Sequence, residues 1–190
     1  MKSLYMLLIL ATVSLGQADA ASRASPAVTQ TSLTAAIAAL EQGTGGKVLE
    51  IRLADDKGRE RFESVVAKGD EIMYLSVKRE TEGFTKIEVK ELPPWMLSWK
   101  MSDYVRSLEQ AKISLADAVS AAERLGNAPA IGAGLAKPLS GTNEVLAYNI
   151  ELMKDRRREN IAIDATTGAK IANPEELYEP WSPVKLVRNS

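Results

Sequence analysis

The chain contains neither histidine nor cysteine, and these two absences set the limits of its chemistry. Without imidazole there is no Ser-His-Asp triad, no His-ligated metal centre and no histidine acid/base pair. Without thiols there is no cysteine nucleophile, no thiolate metal site and no disulfide. Carboxylates, lysines, serines and tyrosines remain available for catalysis. The 25 Asp and Glu residues offer no pair in a recognisable acid/base motif. The run Asp55-Asp56-Lys57-Gly58 lacks the spaced ligands and closing Glu of a calcium loop, and reads as a hairpin turn. The reading is therefore of a protein that is not an enzyme and carries no cofactor or metal.

Binding surfaces are the alternative to catalysis, and the aromatic residues are unevenly placed. Two of the three tryptophans, Trp95 and Trp99, stand four residues apart after Pro93-Pro94, with Met96 and Met101 beside them. If this stretch is helical, the two share a face that Tyr104, Val105 and Leu108 continue. Such a cluster serves equally to glue parts of one molecule together or to anchor a partner. Trp181, in a Pro-rich tail with Tyr178, is either a clasp onto the fold or part of the same surface. Trp95, Trp99, Tyr104 and Trp181 form the candidate partner-binding surface.

The N-terminus reads as a secretory signal. Lys2 precedes an apolar run from Leu4 to Leu15, and small residues at Ala18 and Ala20 fit cleavage after residue 20. The run is too short to span a bilayer, so the mature chain is expected not to span a membrane. Losing Lys2 and Asp19 leaves the net charge at −1. No clustered basic face steers the protein to nucleic acid. The basic run Asp155–Glu159 is bracketed by acids and reads as a solvated turn. An exported protein without disulfides must be held by core packing alone, in the periplasm of a Gram-negative cell or outside it.

The elements that must position any surface come from hydrophobic periodicity. Leu33, Ala36, Ile37 and Leu40 fall at helical spacing, and Leu115, Ala118, Val119 and Ala122 repeat that spacing 82 positions later. Ser32 and Ser114 precede the two runs as N-caps, with Asp117 completing a capping box. Gly43 and Gly126 are expected to end the helices. Leu49, Ile51 and Leu53 alternate with polar residues; Phe62–Val66, Met73–Val77 and Ile87–Val89 give three more strands. Leu146–Leu152 and Ile161–Ile163 do the same in the second half. The stretch Asn127–Gly141 shows no such alternation.

These residues resemble the PepSY family. The Ser-Leu-led helix "ISLADAVSAA" at Ile113–Ala122 and the closing "IAIDATTGAKI" at Ile161–Ile171 match both ends of its pattern. "GKVLEIRL" at Gly46–Leu53 looks like the family's first strand, although the first half lacks the Asp-x-x-x-Gly ending. The resemblance implies an α+β fold of two tandem repeats, each one helix packed on a three- or four-stranded antiparallel sheet. It divides the chain into a signal peptide (1–20), a flexible N-terminus (21–30), a first repeat (31–92), an aromatic-rich connector (93–112), a second repeat (113–174) and a tail (175–190). It also implies a non-catalytic module that binds a protein or peptide partner and modulates or inhibits a peptidase or another cell-envelope enzyme. The alternative is a structural or chaperone-like envelope accessory with broad peptide binding.

Overall fold

The computed structural model describes residues 32–56, 59–69, 71–80, 83–91, 106, 108–136 and 145–178; for residues 55, 56, 59, 60, 79, 80 and 83–91 it describes the backbone. The chain divides into residues 1–30 and a compact unit of residues 31–190, and the described residues belong to the second. The expected signal peptide and flexible N-terminus thus lie outside the described residues.

Helix α1 (Leu33–Thr44) is followed by strands β1 (Lys47–Asp56), β2 (Arg59–Lys68), β3 (Glu71–Glu80) and β4 (Gly83–Glu91). Helix α2 (Leu115–Gly126) is followed by β5 (Ala130–Leu135), β6 (Ala147–Lys154) and β7 (Arg157–Asp164), with one 3-10 turn at Pro174–Glu176. All seven strands join one antiparallel sheet in the order β4-β3-β2-β1-β5-β6-β7. Each half contributes its strands in sequence outward from the centre. The first strands of the two halves, β1 and β5, meet there, pairing Glu50 with Gly134, Ile51 with Ala133 and Arg52 with Gly132.

Both helices lie on the same face of this sheet and touch each other. Their predicted stripes are the buried ones: Leu33, Ala36, Ile37 and Leu40 on α1, and Leu115, Ala118, Val119 and Ala122 on α2. The stripes pack with Val48, Ile51, Phe62, Leu75, Val77, Ile150, Leu152 and Ile163 in one core. Burying each large side chain stabilises the fold by about 1.5–3 kcal/mol. Each helix packs chiefly on the strands of its own half, α1 on β1 and β2 and α2 on β5, β6 and β7, but these strands belong to one sheet and one core.

The helix starts follow the local rules. Ser32 Oγ accepts from Ala35 N–H at 3.2 Å. Ser114 Oγ accepts from Asp117 N–H at 3.1 Å, and the Asp117 carboxylate in turn accepts from the Ser114 N–H, closing a capping box. The end of α1 departs from expectation, whereas α2 ends at Gly126 as expected. Gly43 lies inside α1, and the left-handed cap is Gly45; Gly126 is the last residue of α2, and the left-handed cap is Asn127. Gly126 is there for space, since a Cβ at this position would collide with the Leu152 side chain on β6.

A second pair of residues, also 82 positions apart, ties each helix to its first strand. Glu41 Oε1 accepts from Val48 N–H at 3.1 Å, and Glu123 Oε1 accepts from Ala130 N–H at 2.9 Å. Each carboxylate thus holds the beginning of one of the two strands that join the halves.

Within that stretch Ala130–Leu135 form β5. All six residues are buried, and Gly132 and Gly134 on the face away from the helices give no polar side chain to alternate with. The run Asp155–Glu159 is only partly a turn. Asp155 (φ 49°) and Arg156 (φ 64°) make a two-residue hairpin turn, and Arg157–Glu159 already belong to β7. The Asp-x-x-x-Gly motif has a direct physical explanation. Asp164 Oδ1 accepts from the N–H groups of Thr166 (2.7 Å) and Thr167 (2.9 Å), and Gly168, at φ 75°, supplies the left-handed residue that turns the chain back. Lys170 then bridges to Ile163.

Ile51 is fully buried at the centre of this arrangement, between Ser64 on β2 and Ala133 on β5. Ile51→Ala is expected to destabilise the protein by about 2–5 kcal/mol, read as a fall in the urea unfolding midpoint at unchanged slope; a cost below about 1 kcal/mol would contradict the packing described here.

Candidate functional site

The four aromatic residues expected to form a partner surface, Trp95, Trp99, Tyr104 and Trp181, lie outside the described residues. Tyr178 is described and is buried. Its hydroxyl donates to Val145 O at 2.8 Å, and its ring packs with Ala136 and Ala147. It is the clasp that holds the tail to β6, and burial, followed by the charge of Asp164, raises its pKa.

Three regions of the described surface carry polar groups in a defined geometry. The first is the sheet face turned away from the helices. Strand alternation and pairing register place Ser76, Glu63, Arg52, Gly132, Glu151 and Asn160 in one row across this face. Tyr74, Val65, Glu50, Gly134, Asn149 and Ala162 form the adjacent row. The two glycines leave the middle of the face without side chains, between Arg52 and Glu50 on one side and Glu151 and Asn149 on the other.

Glu63 is the hub of the first row. Its Oε2 accepts from Arg52 Nε at 3.0 Å and from the Arg52 terminal nitrogen, and its Oε1 accepts from Arg61 at 2.7 Å. Burial alone would raise the Glu63 pKa. The hydrogen bond and charge of Arg52 outweigh it, with Tyr74 and Arg61 adding to the effect, and hold the carboxyl below its ordinary value. Tyr74 is pushed the other way, first by burial and then by the Glu63 charge. Across the glycines, Glu151 pairs with the exposed Arg158 at 3.3 Å, and Asn149 Oδ1 is buried without a hydrogen-bond partner.

The second region is a cavity of about 520 Å³ between the end of α1 and the segment leading into α2. Glu41, Lys47, Glu109 and Lys112 contribute its charged lining, and Val48 and Leu115 part of its apolar lining. Tyr148 also lines it. Its hydroxyl donates to Ile113 O at 3.1 Å, and burial, then the charges of Glu41 and Asp117, push its pKa up to about 12. This tyrosine stays protonated and acts as a tether for the approach to α2.

The third region is the outer edge of β7, which among the described residues is bridged only at Ile163 by Lys170. A groove of about 530 Å³ runs beside it, lined by Asn160, Ile161, Ala162, Ile171, Pro174 and Glu175 among others. Among the described residues no group of three or more His, Cys, Asp or Glu side chains is arranged to hold a metal, and no helix is long and apolar enough to cross a membrane.

Fold and surface together define an α+β protein in which two helices cover one face of an antiparallel sheet. Residues 112–172 match the family model of the PepSY domain, described as peptidase propeptide and YPEB domain. The matched segment takes in α2, β5, β6, β7 and the hairpin that follows. Among solved structures, the chain is similar to a candidate lipoprotein from Clostridium difficile 630. The identity is 14%, the TM-score 0.42, and the alignment covers 72% of this chain and 88% of that one. No curated protein matches.

Sequence reading missed the Arg52–Glu63–Arg61 cluster. Alternation within each strand places these residues on one face, but only the register between β1 and β2 brings them together. The cluster makes the stability of the fold depend on pH. Because the folded-state pKa of Glu63 is depressed, its contribution is present above the ordinary value of 4.5 and is lost as pH falls through the folded value. Glu63→Gln is expected to cost on the order of 1 kcal/mol at neutral pH. The gap to the parent protein should close on acidification; a gap that widens below pH 4.5 would contradict this assignment.

Proposed function

We propose that this chain is an exported, non-catalytic module that binds a protein or peptide partner, and that the partner is a peptidase or another enzyme of the cell envelope. The PepSY match at residues 112–172 carries this reading, because the family is described by its place in peptidase propeptides. A propeptide works by occupying an enzyme, which requires surface and shape and no reactive group of its own. The absence of His and Cys from the whole chain agrees with such a role. So does a sheet whose outer strands, β4 and β7, are open to further pairing among the described residues. Export rests on the leader-like sequence of Met1–Ala20.

The aromatic residues Trp95, Trp99, Tyr104 and Trp181 are the proposed anchors of the interface. Their types are those that dominate binding energy where one protein buries a few side chains of another.

The test uses the chain from Ala21 to Ser190, titrated into the peptidase activity secreted or held in the envelope by the source cells. A loss of activity that saturates at a one-to-one ratio, with the enzyme retained by the immobilised chain, is the expected result. Trp95→Ser with Trp99→Ser should abolish retention while moving the unfolding midpoint by less than the cost of a buried aromatic, about 3 kcal/mol. Unchanged peptidase activity together with retention of many unrelated unfolded proteins would overturn the reading in favour of a chaperone-like accessory.

A further inference from the structure

We infer that the C-terminal segment, residues 179–190, lies across the sheet face turned away from the helices, as an extended strap that seats Trp181, Val184 and Val187 on that face. The inference goes beyond the binding-module reading and is independent of it except at Trp181, which it assigns to the fold; Trp95, Trp99 and Tyr104 carry the proposed interface without it.

The face itself needs a cover. Both helices lie on the other side, yet Val65 is 3% exposed, Tyr74 4%, Asn149 9% and Ala162 2%. Their neighbours in the row are too small to hide them. Asn149 stands between Gly134 and Ala162, and Tyr74 stands beside Val65, so an amide and a phenol ring rise above glycine, alanine and valine with almost none of their surface in water. Asn149 Oδ1 is also buried without a hydrogen-bond partner, and a buried acceptor of this kind needs a donor.

The tail enters on this face. Tyr178 packs on Ala136 and Ala147, which pair with each other and stand two positions from Gly134 and Asn149, hence on the same side of the sheet. The approach to α2 leads elsewhere, since Leu108 and Ala111 pack into the core on the helix side. Residues 179–190 belong to the same compact unit as the sheet.

Their sequence has a period of three. Tyr178, Trp181, Val184 and Val187 are apolar; Glu179, Ser182, Lys185 and Arg188 are polar; Pro180 and Pro183 stand between. A polyproline II helix has three residues per turn and is the conformation that prolines favour, so it turns each set to its own side. Tyr178, already seated, identifies the side that meets the sheet. At about 3.1 Å per residue, the stretch from Tyr178 to Val187 reaches about 28 Å. The four strand spacings from β6 to β3 take about 19 Å. The first turn brings Trp181 to the β5–β1 join, where Gly132 and Gly134 leave room for an indole. Asn149 Oδ1, beside Gly134, is the acceptor that a buried indole N–H requires.

The chain has no cysteine, so a single introduced thiol reports on one face at a time. Val65→Cys lies under the strap, and Val66→Cys, next to it in β2, lies in the core under the helices. Both should react slowly with a maleimide in the chain from Ala21 to Ser190. Adding Trp181→Ser with Val184→Ser should speed labelling at Val65→Cys by about tenfold or more, two buried apolar side chains being lost, and leave Val66→Cys unchanged. Lys185→Ser with Arg188→Ser, on another side of the strap, should alter neither. Rapid labelling of Val65→Cys without tail changes, protection that survives Trp181→Ser with Val184→Ser, or an equal effect of the Lys185 and Arg188 changes would each overturn the inference. Protection lost on dilution would overturn it in favour of a second copy, and equal acceleration of both thiols would overturn it because the tail would then hold the whole fold and cover no one face. None of these outcomes bears on peptidase retention, which tests the binding-module reading by itself.

Discussion

The pairing of β1 with β5 is the constraint on which the rest of the structure depends. It is short, three residue pairs from Glu50↔Gly134 to Arg52↔Gly132, yet it turns two runs of strands into one sheet. Because both first strands are central, each half must build outward, and the helices that precede them must lie side by side over the join. The small residues of β5 follow from this position. Ala133 faces the helices beside Ile51, and the glycines on the other face lie between Arg52 and Glu50 of β1 and Glu151 and Asn149 of β6. A larger residue at Ala133 would have to displace the fully buried Ile51 or Ile150, and close-packed cores tolerate this poorly.

Two features protect the join. The Glu41 and Glu123 carboxylates take up the N–H of Val48, second in β1, and of Ala130, first in β5, so that each helix end is fixed to the strand it introduces. The Tyr148 and Tyr178 hydroxyls tether the approach to α2 and the tail to backbone carbonyls. Both tethers use tyrosines whose buried position keeps them protonated, so they hold through the physiological pH range.

Much of this was legible in the residues themselves. Ser32 and Ser114, the two apolar stripes and the alternating runs of β1, β3 and β6 are local signals, and each element formed where its signal lies. The α+β class follows from them. The continuity of the sheet was not legible, because β5 is written in Ala and Gly and carries no alternation. The end of α1 was displaced because its left-handed cap is Gly45 rather than Gly43, while α2 ends at Gly126 with Asn127 as the left-handed cap. Glu41 and Glu123 had a readable signal, the same 82-residue spacing as the serine caps, but a lone carboxylate near a helix end gives no sign of the strand N–H it will meet. The Glu63 cluster depends on register across strands, which no single segment encodes.

The proposed function draws on the same economy. A chain with neither imidazole nor thiol offers shape, charge and, among the described residues, two outer strands, and the proposed binding module uses these. What makes the surface reliable is that both halves stand or fall as one sheet. Native-state hydrogen exchange tests that claim most directly. Slowly exchanging amides of β2 and β3 and those of β6 should open with the same free energy, equal to that of global unfolding. Two separate free energies, with one half exchanging while the other stays protected, would contradict the account.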